Sequence, residues 1–322
     1  MENLANTQEP AAQPAASAGT SDKMHIIVLE DIGVAEARIK EIAEPITNQG
    51  HQLTIYTDKV SDTEILKERV KDADILVIAN SKLTGEVIKA APHLKMISVA
   101  FTGVDHIDLE TCKEKKLVVC NAAGYSVAAV AELAFGLMVS LLRNILPLDQ
   151  ATRQGGTVGG YGQRELYGKI LGVVGTGNIG SRVAELGLAF GCKVIAYNRS
   201  EKEALQTKGV KYMSLENVLK NSDIVSIHLP LTEETRGLID KNKLILMRPE
   251  AILINTARGP IIDNQALAEM LEAGRISGAA IDVFDMEPPL PNDYPLLRAK
   301  STVLTPHIGY ATQEAMQRRA NI

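Results

Sequence analysis

Cysteine is scarce in this 322-residue sequence, which holds only Cys112, Cys120 and Cys192. Their separations, 8 and 72 residues, fit neither a CxxC redox pair nor zinc-ligand spacing. They read as free thiols of a reducing compartment, and no metal site is expected. Positive charge is not in excess: 34 Lys and Arg face 39 Asp and Glu, for a net charge of -5. That balance leaves no electrostatic footprint for nucleic acid or an anionic membrane, so any anion site has to be built locally. Apolar runs do not exceed strand length, which argues against a transmembrane helix. The first 23 residues, MENLANTQEPAAQPAASAGTSDK, lack the basic start and apolar core of a signal peptide. Rich in Ala, Pro, Gln, Ser and Thr and without apolar periodicity, they predict a disordered tail. Together these absences point to a cytoplasmic protein.

What is present is apolar material, 45% of residues, in a chain long enough for two ordinary domains. From Met24 onward, short apolar runs alternate with helical patterns. HIIVLE (25–30), QLTIYT (52–57), ILVIAN (75–80), KMISVA (95–100) and LVVCN (117–121) read as one series of strands. A long helix is predicted over 126–143. A glycine-rich stretch, 154–162, follows as a loop or an oligomer arm. A second series comprises KILGVVG (169–175), KVIAYN (193–198), IVSIHL (224–229), AILINTA (251–257), ISGAAIDVF (276–284) and TVLTPH (302–307). Buried strands between helices imply parallel sheets covered on both faces. The expected class is α/β, with two Rossmann-like doubly wound domains and a cleft between them.

The second series opens with a phosphate-binding signature. Gly175, Thr176, Gly177, Asn178, Ile179 and Gly180 form a GxGxxG motif between a strand and a helix. This is the setting in which the motif carries weight. Gly175 would make the tight turn, Gly177 would admit a pyrophosphate to the backbone, and Gly180 would let helix and strand approach. The helix N-terminus favours the phosphates. The next strand should end in an acid that binds the adenosine ribose. It ends instead in Asn198, Arg199 and Ser200, with Lys202 close by. An uncharged amide removes repulsion against a 2′-phosphate, and Arg199 can pair with one, so the sequence favours NADP(H) over NAD(H).

Three polar residues follow late strands: Arg258 in INTARGPIID, Glu287 in DVFDMEPP and His307 in LTPHIGYAT. Strand C-termini line the ligand crevice of an open parallel sheet, so all three can face a bound nicotinamide. Reducing a 2-oxo acid needs a cation for the carboxylate and carbonyl, and a proton donor at the carbonyl oxygen. A guanidinium and an imidazolium supply these, and a carboxylate beside the imidazole favours its charged form.

The chain resembles the D-isomer-specific 2-hydroxyacid dehydrogenase family. The resemblance rests on AFTGVDHIDL (100–109), NAAGYSVAAVAEL (121–133), ELYGKILGVVGTGNIG (165–180), HLPLT (228–232), INTARGPIID (254–263), AAIDVFDMEPP (279–289) and LTPHIGYAT (304–312). It implies Arg258 as substrate arginine, His307 as acid/base and Glu287 as its partner. Asp282 would contact the nicotinamide carboxamide, Thr256 would lie on the cofactor, and His228 and Pro230 would flank the adenosine side. Amides near Thr102 and Gly103 would take the substrate carboxylate, and Tyr125 and Phe101 would shape the pocket. Phe101 stands where many members have glycine, which implies a narrower, more apolar pocket. The resemblance also implies a substrate domain of 24–124 plus 308–322, a dinucleotide-binding domain of 125–307, and a homodimer. Relatives usually run on beyond the position of Ile322 through a longer crossing helix and a final strand. Glyoxylate, hydroxypyruvate, pyruvate and branched 2-oxo acids all fit as substrates. Glu287 argues against formate dehydrogenase, which carries an amide there. A phosphite dehydrogenase, a dinucleotide-sensing protein of corepressor type and a weakly active remnant stay open.

Overall fold

The computed structural model describes residues 23–322. Most of the expected tail, residues 1–22, lies outside the described residues. Five strands form one sheet: β1 (His25–Val28), β2 (Gln52–Ile55), β3 (Ile75–Ile78), β4 (Met96–Val99) and β5 (Val118–Asn121), in the order β2-β1-β3-β4-β5. Seven form another: β6 (Ile170–Val174), β7 (Lys193–Tyr197), β8 (Lys211–Tyr212), β9 (Ile224–Ile227), β10 (Ile252–Asn255), β11 (Gly278–Ile281) and β12 (Thr302–Leu304). Their order is β12-β11-β10-β9-β6-β7-β8. Every strand pairing is parallel. The molecule thus has two Rossmann-like, doubly wound sheets.

Why these runs become central strands is clear from β10. All its residues are buried. Leu253 packs into one apolar cluster with Val225 and Ile281, while Ile252 and Ile254 pack into another with Leu171 and Met138. Side chains alternate across a strand, so a strand buried on both faces is apolar at nearly every position; the buried polar residue here, Asn255, is hydrogen-bonded to the loop that follows. The second of those clusters draws on the helix Val127–Leu142, which buries Ala131, Ala134, Phe135 and Met138. No single helix among the described residues is long and apolar enough to cross a membrane.

In the seven-stranded sheet the order reverses between β6 and β9, which are neighbours although β7 and β8 intervene in the chain. Successive crossovers leave these two strands in opposite directions and open a crevice at their C-terminal ends. The GxGxxG turn follows β6 and His228 follows β9. The helix Gln313–Asn321 returns to the five-stranded sheet. Its Ala315 joins that sheet's core, buried Arg319 donates to the Ile32 carbonyl, and Asn321 accepts from Arg38 at 3.0 Å.

Candidate active site

A cleft of about 470 Å³ lies between the two sheets. It is walled by loops that leave strand C-termini: 101–105 after β4, 228–232 after β9, 256–258 after β10, Asp282 after β11 and 307–310 after β12. Gly177, Asn178 and Ile179 close one side, and Tyr125 with Val130 another.

The glycine turn is built for close approach. Gly175 has φ +94°, a left-handed conformation that costs glycine little, and a Cβ there would meet the His228 carbonyl carbon at 2.9 Å. A Cβ on Gly180 would sit 1.8 Å from the Gly175 oxygen, so only glycine lets this helix start against the turn. A Cβ on Gly177 would meet nothing within 4 Å, because that position faces the open cleft. Gly177 caps the helix Asn178–Ala189 without a side-chain bond, leaving the first amides open to an anion.

At the end of β7, Asn198 does more than avoid repulsion. Its Oδ1 accepts from the Thr176 amide at 3.2 Å and its Nδ2 donates to the Ser200 carbonyl at 2.7 Å. An aspartate could make the first bond but not the second, so the amide shapes the 198–200 turn. Arg199 and Ser200 are exposed. Lys202 reaches back to Ser181 Oγ at 3.0 Å, which sets a second cation beside the first helical turn. Asn198, Arg199 and Ser200 do not line the 470 Å³ cleft; they lie beyond its glycine-turn end.

Arg258 and His307 are brought together around Phe101. Arg258 projects from the loop after β10, whose shape is held by Asn255: its Nδ2 donates to the Arg258 carbonyl at 3.0 Å and its Oδ1 accepts from the Ala257 amide at 3.0 Å. The guanidinium carbon stands 5.7 Å from the Phe101 ring centroid, and the His307 ring meets Phe101 edge-on at 5.9 Å. Tyr310 completes the packing, 4.9 Å from Phe101 and 5.1 Å from His307. Glu287 comes from outside the cleft and accepts from His307 Nδ1 at 2.9 and 3.2 Å. That bond holds the Glu287 carboxyl below its ordinary range, against the opposing effect of burial. With Nδ1 engaged, Nε2 is the nitrogen left for chemistry.

His307 has φ +58°, an uncommon conformation for a residue with a side chain. Asp282 holds it there. The His307 amide donates to the Asp282 carbonyl at 2.8 Å. The buried carboxylate accepts from Thr305 Oγ1 at 2.6 Å, Ile308 N at 2.8 Å and Gly309 N at 2.9 Å. Burial pushes the Asp282 pKa up, and these donors oppose the shift. Three donors still leave room for one more partner from the cleft.

Of the remaining predicted residues, Thr102, Gly103, Tyr125, His228, Pro230 and Thr256 all line the cleft. The amides of Thr102 and Gly103 have no protein acceptor among the described residues. Thr256 Oγ1 is likewise buried without a partner. Phe101 and Tyr125 are almost fully buried, and burial raises the Tyr125 hydroxyl to about 12.

His228 bonds Ser226 Oγ through Nε2 at 2.8 Å, while its Nδ1 is buried, and enclosure drives its pKa to about 3. The native ring therefore stays neutral where the unfolded one, near 6.5, takes up a proton. The stability this gives is complete above about pH 6.5 and is lost as pH falls from there toward 3. Between pH 8 and pH 5 the loss should be about 2 kcal/mol. Urea midpoints of the wild type and His228→Asn at both pH values check this: the variant should lack that part of the acid sensitivity. Equal pH dependence in the two proteins would refute it.

Sequence reasoning missed Asp105, whose carboxylate takes Arg258 Nε at 3.1 and 3.3 Å across the cleft. It also missed Asn255, Thr305 and Tyr310, all inside or next to motifs it had singled out.

Residues 135–309 match the family model described as D-isomer specific 2-hydroxyacid dehydrogenase, NAD binding domain. The chain is 39% identical over 286 residues to a hydroxypyruvate reductase of Thermotoga maritima, covering 88% of this chain and 92% of that one. It is 39% identical over 286 residues to a glyoxylate reductase of Thermococcus litoralis, covering 84% and 85%. Among solved structures, a D-lactate dehydrogenase of Aquifex aeolicus, complexed with NAD and lactic acid, superposes with a TM-score of 0.81 at 33% identity, over 92% of both chains.

Proposed function

The chain belongs to the D-isomer-specific 2-hydroxyacid dehydrogenase family, and from that premise we propose that it reduces small 2-oxo acids of the glyoxylate and hydroxypyruvate kind, with NADPH preferred to NADH. It is an oxidoreductase that moves a hydride between NAD(P)H and a 2-oxo or 2-hydroxy acid. The observation that carries the substrate reading is the meeting of Arg258, His307 and the free Thr102 and Gly103 amides in one cleft beside the glycine turn.

The residues present fit a dinucleotide: an uncapped helix N-terminus, an open face at Gly177, and buried Thr256 Oγ1 with no protein partner. When bound, the nicotinamide supplies or accepts the hydride at C2. In the proposed mechanism the Thr102 and Gly103 amides receive the substrate carboxylate. Arg258 draws charge from the carboxylate and the 2-oxo oxygen, stabilising the alkoxide that develops there. Protonated His307 donates to that oxygen, and Glu287 stabilises the imidazolium until it does. In the reverse direction the neutral ring removes the hydroxyl proton. Closure of the two sheets on the ligands would exclude water.

The cofactor preference rests on Arg199 and Lys202, two cations beside the ribose end; the exposed Glu234 carboxylate is near enough to feel the charge of Arg199 but makes no hydrogen bond to it among the described residues. Arg199→Ala should lower kcat/KM for NADPH by roughly tenfold to a hundredfold, the worth of a charge-assisted bond. The value for NADH should stay within about twofold. Equal losses with both cofactors would remove the 2′-phosphate reading.

We further assign 24–124 plus 308–322 to substrate binding and 125–307 to the cofactor. The packing of the last helix on the five-stranded sheet supports the first assignment. A homodimer is supported by exposed apolar side chains near the C-terminal end of the helix Val127–Leu142: Ile145, Leu146, Tyr167 and Phe190. Three free cysteines suit a reducing, cytoplasmic setting.

A further inference from the structure

Glu287 reaches His307 from a segment with little of its own to hold it. Residues 283–290 make no backbone–backbone hydrogen bond among the described residues. Pro288 and Pro289 have no N–H to give. Asp285, Met286 and Glu287 are exposed, the Glu287 side chain at 57%. Keeping so open a carboxylate 2.9 Å from His307 Nδ1 costs conformational entropy, so the segment needs an anchor.

The anchor lies just before Glu287. Phe284 is buried in the apolar cluster of the seven-stranded sheet and meets the Tyr294 ring edge-on at 5.6 Å. Its backbone lies on Gly259, the residue after Arg258, where an added Cβ would stand 2.0 Å from the Phe284 carbonyl carbon. Asp285 then turns both carboxylate oxygens to the protein. Oδ1 accepts from Asn264 Nδ2 at 2.8 Å and Oδ2 accepts from Tyr294 Oη at 3.0 Å. Both donors are buried, Asn264 at the start of the helix Asn264–Glu272 and Tyr294 in the same cluster as Phe284. Asn264 Nδ2 also approaches the Gly259 carbonyl at 3.4 Å. Burial, with the Asp285 carboxylate beside it, pushes the Tyr294 hydroxyl up, so it keeps its proton and stays a donor.

We propose that Asp285 is a positioning residue for proton delivery: held by Asn264 and Tyr294, it fixes Glu287 on His307 and ties that pair to the loop that carries Arg258. The proposal rests on the reading of Glu287 as the partner of His307. Asp285 does not line the cleft, so its effect on the reaction has to pass through Glu287. Without the anchor the Glu287 carboxylate is present but no longer placed, and a displacement of about 1 Å in such a constellation costs roughly a hundredfold in rate.

The test is a double-mutant cycle on kcat/KM for glyoxylate at saturating NADPH, with Asp285→Ala, Glu287→Ala and the two combined. Asp285→Ala should lower kcat/KM roughly tenfold to a hundredfold. The loss should fall on kcat rather than KM, because Asn255 holds the Arg258 loop independently. In the Glu287→Ala background the same substitution should change kcat/KM by less than about twofold, since nothing is left to position. Asp285→Asn can set its oxygen on Asn264 and its amide on Tyr294 Oη, and should recover most of the loss. If Asp285→Ala does not fold, as NADPH binding reveals, Tyr294→Phe takes its place in the cycle. With one of the two bonds removed it should cost roughly tenfold, again only while Glu287 is present. A silent anchor variant, or one that costs as much without Glu287 as with it, overturns the proposal and leaves the proposed function standing. A silent Glu287→Ala overturns the reading of Glu287, and this inference with it.

Discussion

Replacing Arg258 by alanine is expected to lower kcat/KM for glyoxylate or hydroxypyruvate by roughly a thousandfold, with dinucleotide affinity little changed. Removing one preorganised donor from a developing oxyanion costs about a hundredfold to a thousandfold. Here the substrate carboxylate would lose its counter-charge as well. The substitution also strips Asp105 of its partner, the Nε bonds at 3.1 and 3.3 Å, and leaves an unpaired anion beside the place where an anionic substrate must bind. Both effects act in the same direction. The loop itself should hold, because Asn255 bonds its backbone, not the guanidinium. Steady-state rates, paired with NADPH fluorescence titration, separate the two quantities. A loss smaller than tenfold would mean that another group takes the carboxylate.

The second large effect belongs to His307. His307→Gln keeps a ring-sized polar side chain but cannot deliver a proton, and the general-acid step it serves is worth roughly a hundredfold to ten-thousandfold. Its signature is the pH profile. In the wild type, kcat/KM for 2-oxo acid reduction should fall as pH rises, because that direction takes up a proton through the acid form of the donor. The rate of hydroxy-acid oxidation should rise over the same interval. Glu287 adds no titration there: its carboxyl is held below the ordinary range by the bond to His307. The Glu287 charge is therefore present above the ordinary carboxylate pKa and is lost only as pH falls through the lowered value. His307→Gln should be slow and flat with pH. A variant that kept the wild-type slope would place the proton donor elsewhere.

Much of this arrangement was legible in the sequence, and the reason is local. Runs such as IVSI and ILIN are short, rich in β-branched residues and set between helical patterns, so they read as strands buried on both faces, and the parallel sheets follow from that spacing. The GxGxxG turn is a backbone requirement written in glycines, as Gly175 at φ +94° and the clash at Gly180 show. Strands ended earlier than their apolar runs suggested: β9 stops at Ile227 and β12 at Leu304, because the residues beyond turn into the cleft. The two-residue strand β8 carried too little periodic signal to be distinguished, and the amphipathic helix Ile145–Arg153, which follows the preceding helix after a two-residue break, was not separated from it.

What could not be read was pairing across the fold. Asp105 and Arg258 are 153 residues apart, and nothing in either segment announces the other. Asp282 stood out as a polar residue at a strand end, but its hold on the His307 loop needs the donors of Thr305, Ile308 and Gly309 in three dimensions. Phe101 was legible as a departure at a pocket position. Its placement between the Arg258 guanidinium and the His307 ring was not.

The central claim is that this cleft passes a hydride between a nicotinamide and C2 of a small 2-oxo acid. Incubating the protein with hydroxypyruvate and NADPH deuterated at C4 on the transferable face, then analysing the product by mass spectrometry and chiral chromatography, tests it directly. The account predicts glycerate of D configuration carrying one deuterium at C2, formed in step with NADPH loss and absent when Arg258→Ala replaces the wild type. Tight NADPH binding with no deuterium reaching any 2-oxo acid, glyoxylate and pyruvate included, would contradict it.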